Sequence, residues 1–313
     1  MSVTVVGSIA FDAVKTPFGE RERMLGGAAV HFALAASFFD DVRVVGPVGD
    51  DFGEGELDVL RRRGVDVSDI EHVAGGETFF WAGEYGWDLN SRETLETRLG
   101  VFEHFEPKLS RAARASDVLF LANIQPDVQR AVRAQCTAQF AALDSMNLWI
   151  EIARDSLVQT IATVDCLVLN DAELRQLTAK PNLLSAAREV LSWGPPGPTT
   201  IIAKQGEYGA ALITSDSFFS LPAFPLETVV DPTGAGDTFA GGFVGYIAAH
   251  GGDALEEDLL RRAMAYGTAL ASFNVEAFGT ERVARLTGEE IAERVRELER
   301  VTHFSDAPIA LRG

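Results

Sequence analysis

The chain has 313 residues, and its 46 acidic and 27 basic side chains give a formal net charge of −19 at pH 7. Because so negative a surface repels nucleic acid and anionic membranes, the composition argues against both as partners. No apolar run reaches the roughly 18 residues that a membrane helix needs, and the first residues do not resemble a signal peptide. Cys136 and Cys166 match no metal or redox spacing. We therefore expect a cytoplasmic protein with two buried, reduced thiols.

Strands and helices alternate along most of the sequence. Continuous apolar runs predict buried strands at residues 3–9, 42–48, 118–121, 141–144, 166–169 and 199–203. Apolar residues at helical spacing predict helices at 28–39, 54–63, 126–140, 154–163, 172–178 and 185–192. A hairpin is predicted at 210–214 and 217–221, and long helices at 256–273 and 289–302. This alternation predicts an α/β fold in which helices cover both faces of a parallel sheet.

The alternating pattern is interrupted between residues 73 and 105. Two segments, 78–85 and 97–102, predict strands joined by a polar turn around 88–92. No helix is predicted between them, so they should form an antiparallel element outside the main sheet. Four aromatic residues argue against an ordinary surface hairpin, namely Phe79, Phe80, Trp81 and Trp87.

The most informative stretch is Asp231-Pro232-Thr233-Gly234-Ala235-Gly236-Asp237, which is followed by apolar residues at helical spacing as far as residue 249. It predicts the start of a helix, where unpaired backbone N–H groups and glycines allow an anion to approach closely. Asp237 would repel a bound phosphate unless it has another task, and the simplest task is to accept a proton from a substrate hydroxyl. Taken alone, the pattern fits equally well an acidic residue that only stabilises the helix dipole.

Together with Thr238-Phe239 and Gly241-Gly242, this stretch resembles the signature of the ribokinase-like carbohydrate kinases, or PfkB family. The resemblance covers nearly the whole chain. It implies one kinase domain, residues 1–313, with a three-layer α/β/α sandwich, a mostly parallel central sheet and a small β-sheet lid from about residues 12–25 and 73–105. It implies that Asp237 is the catalytic base and that an anion hole is formed by the backbone of Gly234, Ala235 and Gly236. A P-loop motif is absent, and Phe239 stands where a dinucleotide fingerprint needs a small residue.

The resemblance implies an ATP-dependent sugar kinase that transfers the γ-phosphate of Mg·ATP to a hydroxymethyl group of a carbohydrate. Two alternatives remain open at this point. A nucleoside kinase of the same fold is compatible with the aromatic residues of the predicted lid. A sensor that binds sugar or nucleotide without catalysis would need neither Asp237 nor the glycines before it. The lid either closes within one chain or joins two chains as a homodimer.

The segment Asn170-Asp171-Ala172-Glu173 follows a predicted strand and has the spacing of a capping box, in which Asn and Glu stabilise a helix start. In the PfkB family an Asn and a Glu at this spacing help to hold Mg²⁺. The resemblance therefore implies a metal role for Asn170 and Glu173, through water because Mg²⁺ retains its waters. It also implies that Asp231 contributes to a monovalent-cation site, which K⁺ would occupy.

Further residues are assigned to ligands by the same resemblance. The loop that begins at Lys204 is similar to the nucleotide-contacting loop of the family, and the region of Asn274 and Gly279 matches the adenine pocket. The nucleotide contacts implied are Asn170, Lys204, Gly206, Glu207, Thr233, Gly234, Gly236 and Asn274. The acceptor contacts implied are Asp12, Gly26, Gly27, His31, Asn123 and Asp237. His31 stands where ribokinase-type members have Asn, which leaves ribose itself in doubt as the acceptor.

Overall fold

A computed structural model describes residues 1–251 and 255–304. Its strands are β1 (Ser2–Val6), β2 (Ala10–Thr16), β3 (Gly19–Gly26), β4 (Asp41–Val48), β5 (Asp66–His72), β6 (Phe79–Tyr85), β7 (Arg92–Arg98), β8 (Val118–Leu121), β9 (Phe140–Asp144), β10 (Cys166–Asn170), β11 (Thr200–Lys204), β12 (Ala210–Ile213) and β13 (Phe218–Leu221). Its helices are α1 (Ala28–Ala36), α2 (Glu54–Arg61), α3 (Arg111–Arg114), α4 (Pro126–Gln135), α5 (Asn147–Ile152), α6 (Arg154–Ile161), α7 (Asp171–Thr178), α8 (Leu183–Leu191), α9 (Ala235–His250), α10 (Glu257–Asn274), α11 (Glu281–Ala284) and α12 (Gly288–Thr302).

Nine strands form one sheet, hereafter the large sheet, in the order β13-β12-β11-β10-β9-β8-β1-β4-β5. Its strands from β5 through β11 pair in parallel, and β12 and β13 continue the sheet in antiparallel. Side chains alternate across it, so that on β8 Phe120 enters the core on one face and Leu121 the core on the other. Helices α1, α9 and α10 cover the first face and α4, α6, α7 and α8 the second. The α/β fold with a mostly parallel central sheet is confirmed.

The second sheet, hereafter the small sheet, has the order β3-β2-β6-β7. β2 pairs with β6 in parallel, and both outer pairs are antiparallel. Its strands lie in or beside the two segments for which a lid was predicted. Trp81, Gly83 and Tyr85 alternate along β6 and therefore share one face, and the ring of Trp81 covers Gly83, because a Cβ there would be 2.2 Å from that ring. Tyr85 on this face belongs to a small apolar cluster with Val14 and Phe278.

Two predictions of secondary structure need correction. The strand predicted at 97–102 is wrong in its placement, because β7 ends at Arg98 and Gly100–His104 form a 3₁₀ helix. All seven residues of β7 are exposed, so the strand has no apolar run by which sequence analysis could find it. β5 was also missed, since it is a polar strand at the edge of the large sheet.

Cys136 and Cys166 are free and buried, as predicted. Within residues 1–251 and 255–304, no helix combines the length and apolar character needed to span a membrane.

Helix α9 lies unusually close to its two neighbours because glycines face them. A Cβ at Gly241 would be 2.3 Å from the carbonyl oxygen of Phe32 in α1, and one at Gly242 would be 2.9 Å from the Cα of Gly267 in α10. Real Cβ atoms do not approach backbone so closely, so the three helices cannot keep this arrangement with a larger residue at either position. The glycines after the motif are therefore packing residues.

Gly241→Ala is expected to lower the free energy of unfolding by about 1–3 kcal/mol, because the added methyl group overlaps backbone atoms that cannot move aside. Gly55→Ala in α2 is the control, since nothing lies within 4 Å of its added Cβ. There the substitution should leave stability unchanged or raise it by up to about 1 kcal/mol. Urea unfolding of the two variants beside the parent protein measures both effects. Equal stability changes in the two variants would contradict the packing argument.

Candidate active site

The polar residues that the sequence assigned to ligands converge on one edge of the large sheet. Asn170 and Lys204 are the last residues of β10 and β11, Asp144 is the last residue of β9, and Asn123 follows β8 by one residue. Ala122 alone separates Asn123 from the end of β8. These four strands are parallel neighbours, so their carboxyl ends meet at the same edge. In open α/β sheets this edge is where ligands bind.

The motif loop that leads into α9 is held by one carboxylate. Asp231 is fully buried, and its Oδ1 accepts from the Thr233 backbone N–H at 2.9 Å while Oδ2 accepts from the Gly279 backbone N–H at 2.9 Å. Gly234 then adopts φ +74°, a left-handed conformation that glycine accepts without strain, and α9 begins at Ala235. The Ala235 N–H donates to the Pro232 carbonyl at 3.2 Å, whereas the Gly236 N–H has no backbone partner in the described chain and is available to an anion.

Two buried side chains, Asn274 and His31, pack against this loop from the protein interior. The Asn274 Nδ2 donates to the Thr233 carbonyl at 2.7 Å, and its Oδ1 lies 3.0 Å from the Thr238 hydroxyl and 3.1 Å from Nδ1 of His31. Since Asn274 Oδ1 is the acceptor in this network, Nδ1 of His31 carries the hydrogen. Burial lowers the pKa of His31 to about 4, so the imidazole is neutral. The His31 ring lies directly against Gly234, where a Cβ would be 2.4 Å from three ring atoms.

Asn274 was predicted to contact the nucleotide and His31 the acceptor. Both side chains are buried beneath the motif loop, 0 % and 2 % exposed. Their contacts with ligands stay predictions. Their contact joins residues 243 positions apart, which no local sequence pattern reveals.

Asp12, Gly26 and Gly27 meet at the junction of the two sheets. The Asp12 carboxylate covers Gly26, since a Cβ there would be 2.0 Å from Oδ2, and it accepts a hydrogen bond from the Gly27 backbone N–H. The pKa of Asp12 is raised to about 7, mainly by burial and also by the nearby carboxylates of Asp231 and Asp237, while the Gly27 N–H and Arg92 lower it. The predicted acceptor site and the motif are thus close enough to interact electrostatically.

Lys204 lies beside the predicted anion hole. Its Nζ donates to Oδ2 of Asp144 at 2.7 Å, and the Asp144 carboxyl is itself buried. A Cβ at Gly236 would lie 3.2 Å from Nζ, so the ammonium group is adjacent to the first turn of α9. The side-chain amide of Gln129 fixes the end of β9 by donating to the Asp144 carbonyl at 2.9 Å. This arrangement places one positive charge beside the helix N-terminus.

Asp237 lies in the first turn of α9 and is partly buried. Burial is the main cause that raises its pKa to about 7; Asp144 and Glu173 raise it further, and Lys204 and a backbone N–H lower it. A carboxyl with a pKa near neutrality exchanges a proton with a hydroxyl far more effectively than an ordinary aspartate. A raised pKa is compatible with the general base predicted at Asp237, and that role stays a prediction.

Asn170 and Glu173 form the predicted capping box. Asn170 Oδ1 accepts from the Glu173 N–H, and Glu173 Oε2 accepts from the Asn170 N–H, each at 2.8 Å. Burial raises the pKa of Glu173 to about 7. Its other oxygen, Oε1, accepts no hydrogen bond from the described part of the chain. These residues fit Mg²⁺ held through water. The described residues contain no cluster of three or more His, Cys, Asp or Glu that could hold a metal directly.

The small sheet contacts this site through residues that sequence analysis missed. The Tyr85 hydroxyl lies 3.2 Å from Oγ1 of Thr233 in the motif. In the turn between β6 and β7, the Asn90 Nδ2 donates to Oε1 of Glu207 at 3.0 Å. Glu207 belongs to the 3₁₀ turn Gly206–Tyr208, which is the predicted nucleotide loop. Both contacts connect segments more than one hundred residues apart.

Most of the predicted residues thus lie together at the site. Those grouped at the site are Asp12, Gly26, Gly27, Glu173, Asn170, Lys204, Thr233, Gly234, Ala235, Gly236 and Asp237. Asn123 is at the same edge, where its Oδ1 accepts from Trp149 Nε1 at 3.1 Å, and its contact with an acceptor stays a prediction. A cavity of about 760 Å³ at the opposite edge of the large sheet is lined by residues such as Val118 and Thr200 and contains none of the motif residues.

Comparison with known proteins identifies the class. The family described as pfkB family carbohydrate kinase matches residues 2–285, and the chain therefore belongs to this family. Members of the family are phosphotransferases with an alcohol group as acceptor, and so is this protein.

Three curated relatives show which activities occur among similar sequences. The cytidine kinase of Thermococcus kodakarensis is 28% identical over 251 residues, which cover 78% of this chain and 87% of the relative. The nucleoside kinase of Methanothermobacter thermautotrophicus is 26% identical over 91% of this chain and 93% of its own length. The deoxyribokinase of Salmonella typhimurium is 27% identical over 82% of this chain and 83% of its own. Similar proteins therefore include both nucleoside and sugar kinases.

Solved structures confirm the ribokinase-like fold. The nucleoside kinase of Methanocaldococcus jannaschii superimposes with a TM-score of 0.77 at 20% identity, covering 95% of this chain and 98% of that protein. The nucleoside kinase of Burkholderia thailandensis in complex with inosine gives 0.77 at 21% identity, with 96% and 98% covered. The ribokinase of Cryptococcus neoformans in complex with ADP gives 0.74 at 20% identity, with 94% and 99% covered.

Gly234→Ala tests whether the His31 ring packs against the predicted anion hole as closely as the structure shows. We expect a loss of unfolding free energy of about 2–4 kcal/mol, because alanine adds backbone strain at φ +74° and its Cβ overlaps the His31 ring. Gly206→Ala is the matched control: it has φ +57°, but its Cβ would meet only Asn90 Oδ1 at 3.5 Å, so strain alone costs about 1–2 kcal/mol. Thermal and urea unfolding compare the two. A smaller loss at Gly234 than at Gly206 would contradict the role of His31 as the support of this loop.

Proposed function

We propose that this protein is a kinase that transfers the γ-phosphate of Mg·ATP to the hydroxymethyl group of a sugar ring, with a nucleoside as its preferred acceptor. The observation that carries the proposal is Asp237, a carboxyl whose pKa is raised to about 7 in the first turn of α9, beside Lys204 and the Gly234–Gly236 backbone. A base, an anion site and a cation are the parts that phosphoryl transfer requires.

The transfer uses these parts in one step. Asp237 accepts the proton of the acceptor hydroxyl as its oxygen attacks the γ-phosphorus, and the bond from that phosphorus to the bridging oxygen of ADP breaks. The backbone N–H groups at the start of α9 hold the oxygens of the phosphoryl group in transit. Lys204 is placed to neutralise negative charge on the same group, in exchange for its bond to Asp144. Asp12 accepts hydrogen bonds from acceptor hydroxyls, for which a carboxylate is well suited.

Mg²⁺ would be held through water by Glu173 and Asn170, and when bound it neutralises charge on the triphosphate and orients it. The Gly206–Tyr208 turn supports the nucleotide. A monovalent-cation role for Asp231 stays a prediction, since both of its oxygens already accept backbone N–H groups. The small sheet acts as the lid, and excluding water prevents loss of the phosphoryl group to hydrolysis.

The choice between acceptors depends on the face of the small sheet that carries Tyr85. Its residues form an apolar cluster that includes Val14, Tyr85 and Phe278, with Met24 and Trp81 packed against it. Val14, Tyr85 and Phe278 are buried, but Met24 and Trp81 are partly exposed. A nucleobase can stack on the Trp81 ring, whereas a free sugar would need more hydrogen-bonding groups there. This observation reverses the order expected from the sequence, in which a free sugar came first. A free sugar is the second candidate, and the similarity to deoxyribokinase and fructokinase supports it.

Asp237→Asn should keep the fold and the affinity for ATP but reduce turnover by at least about 10³-fold, because the amide cannot accept the proton. The measurement is ADP release with Mg·ATP over a panel of nucleosides, pentoses, hexoses and inositols, with ATP affinity determined by calorimetry. Turnover on nucleosides that disappears in the variant supports the proposal. Turnover on free sugars alone supports the second candidate. A variant with the parent rate would rule out Asp237 as the base.

The pH dependence of the parent enzyme gives an independent test. Because the base acts only when it is deprotonated, kcat/KM should rise with pH up to about 7, where Asp237 titrates in the free enzyme, and level off above it. Lys204 lowers the pKa of Asp237, so Lys204→Met should move the midpoint to higher pH as well as reduce the rate. A midpoint that moves to lower pH in Lys204→Met would contradict the arrangement of charges described above.

A further inference from the structure

Arg92 is the first residue of β7, in the small sheet, and its position differs from that of the other arginine on the strand. It pairs directly with Tyr85 on β6, so its side chain shares the face of the sheet that carries Trp81 and Tyr85. Its guanidinium carbon lies 5.2 Å from the centre of the Trp81 ring. Arg98, at the other end of β7, pairs with Phe80 on the opposite face and forms ion pairs with Glu77 and Glu96.

Arg92 forms no ion pair in the described structure, where its guanidinium group contacts the Trp81 ring and the Tyr85 hydroxyl. Over residues 1–251 and 255–304, no carboxylate lies within 4.0 Å of its guanidinium group, and the residue is exposed. Exposure alone is ordinary for an arginine on a surface. This arginine, however, shares the face of the small sheet that carries Tyr85, and Tyr85 contacts the motif residue Thr233.

Two hydrogen bonds fix β6 and the following turn against the catalytic edge. The Tyr85 hydroxyl is 3.2 Å from Oγ1 of Thr233, the residue before the left-handed Gly234. Asn90, two residues before Arg92, is 3.0 Å from Glu207 in the nucleotide loop. Arg92 is therefore positioned between a contact to the motif and a contact to the nucleotide loop. Its charge also reaches the acceptor side, where it lowers the pKa of Asp12 against the effect of burial.

We propose that Arg92 binds the phosphoryl group as it passes from ATP to the acceptor. The proposal rests on the function proposed above and adds a residue to it. Arginine suits this task because its planar group offers several N–H donors to phosphate oxygens and stays protonated throughout. Arg92 makes and breaks no covalent bond: the phosphorus–oxygen bond to ADP breaks, the bond to the acceptor oxygen forms, and Asp237 takes the proton. With Lys204 and the α9 N-terminus on one side, Arg92 supplies positive charge from the other.

The kinetic test compares Arg92→Ala with Arg98→Ala, which removes an arginine from the opposite face of the same strand. We expect Arg92→Ala to lower kcat by about 100-fold, with a smaller change in the acceptor KM, and Arg98→Ala to stay within about 2-fold of the parent. Free guanidinium ion should restore part of the rate of Arg92→Ala and none in Arg98→Ala. An unchanged kcat in Arg92→Ala, or an effect confined to the KM of acidic acceptors, would overturn the proposal, the latter in favour of an arginine that binds the acceptor.

A binding measurement separates this proposal from the proposed function. Calorimetry with Mg·ADP and with the non-hydrolysable analogue Mg·AMPPNP reports the affinity for the γ-phosphate without any turnover. We expect Arg92→Ala to lose about 10-fold in affinity for the analogue while its affinity for ADP is unchanged, and Arg98→Ala to keep both. Equal affinities in Arg92→Ala and the parent would overturn the proposal. If the parent enzyme phosphorylates no acceptor, the proposed function fails, and the analogue still decides whether Arg92 recognises the γ-phosphate.

Discussion

The close contact of α9 with its neighbours is the constraint on which the rest of the site depends. Glycines allow its backbone to touch α1 on one side and α10 on the other, which fixes the direction of the helix axis. The start of the helix consequently projects at the edge where β9, β10 and β11 end. Asp231, before the helix, accepts a hydrogen bond from the Gly279 N–H. The position of Gly234 is therefore fixed by the loop that precedes it and by the packed helix that follows it. A helix N-terminus binds anions only where it points, and packing distant from the ligand determines that direction.

The site also concentrates negative charge in a way that the fold alone would not favour. Asp12, Glu173 and Asp237 are each buried enough that their pKa values rise to about 7. Such groups cost stability when ionised, since desolvation disfavours the charged form. Lys204 offsets part of this cost. Its effect is reduced because its ammonium group already forms an ion pair with the Asp144 carboxylate. Under the proposed function, bound Mg·ATP and a hydroxyl acceptor would supply the positive charge and the hydrogen bonds that offset the rest of this cost.

The sequence predicted those parts of the molecule that depend on neighbouring residues in the chain. The motif before α9, the capping box at Asn170 and the buried strands all follow from local patterns. The structure brings the motif and the capping box together at one edge of the sheet that these strands form. It did not reveal β7, because all of its residues are polar or exposed. Nor did it reveal that His31 and Asn274 lie below Gly234, since that network is formed only when distant helices pack together. Tyr85 and Asn90 were missed for the same reason.

The two hydrogen bonds from the small sheet to the motif and the nucleotide loop have a thermodynamic consequence. The small sheet that contains Tyr85 also contains β2, the strand of the proposed acceptor residue Asp12, while Thr233 and Glu207 are proposed nucleotide residues. Any ligand that changes the position of the sheet must also change these two bonds. Under the proposed function, the free energies of binding of acceptor and nucleotide are thereby linked, and the linkage is necessarily equal in both directions.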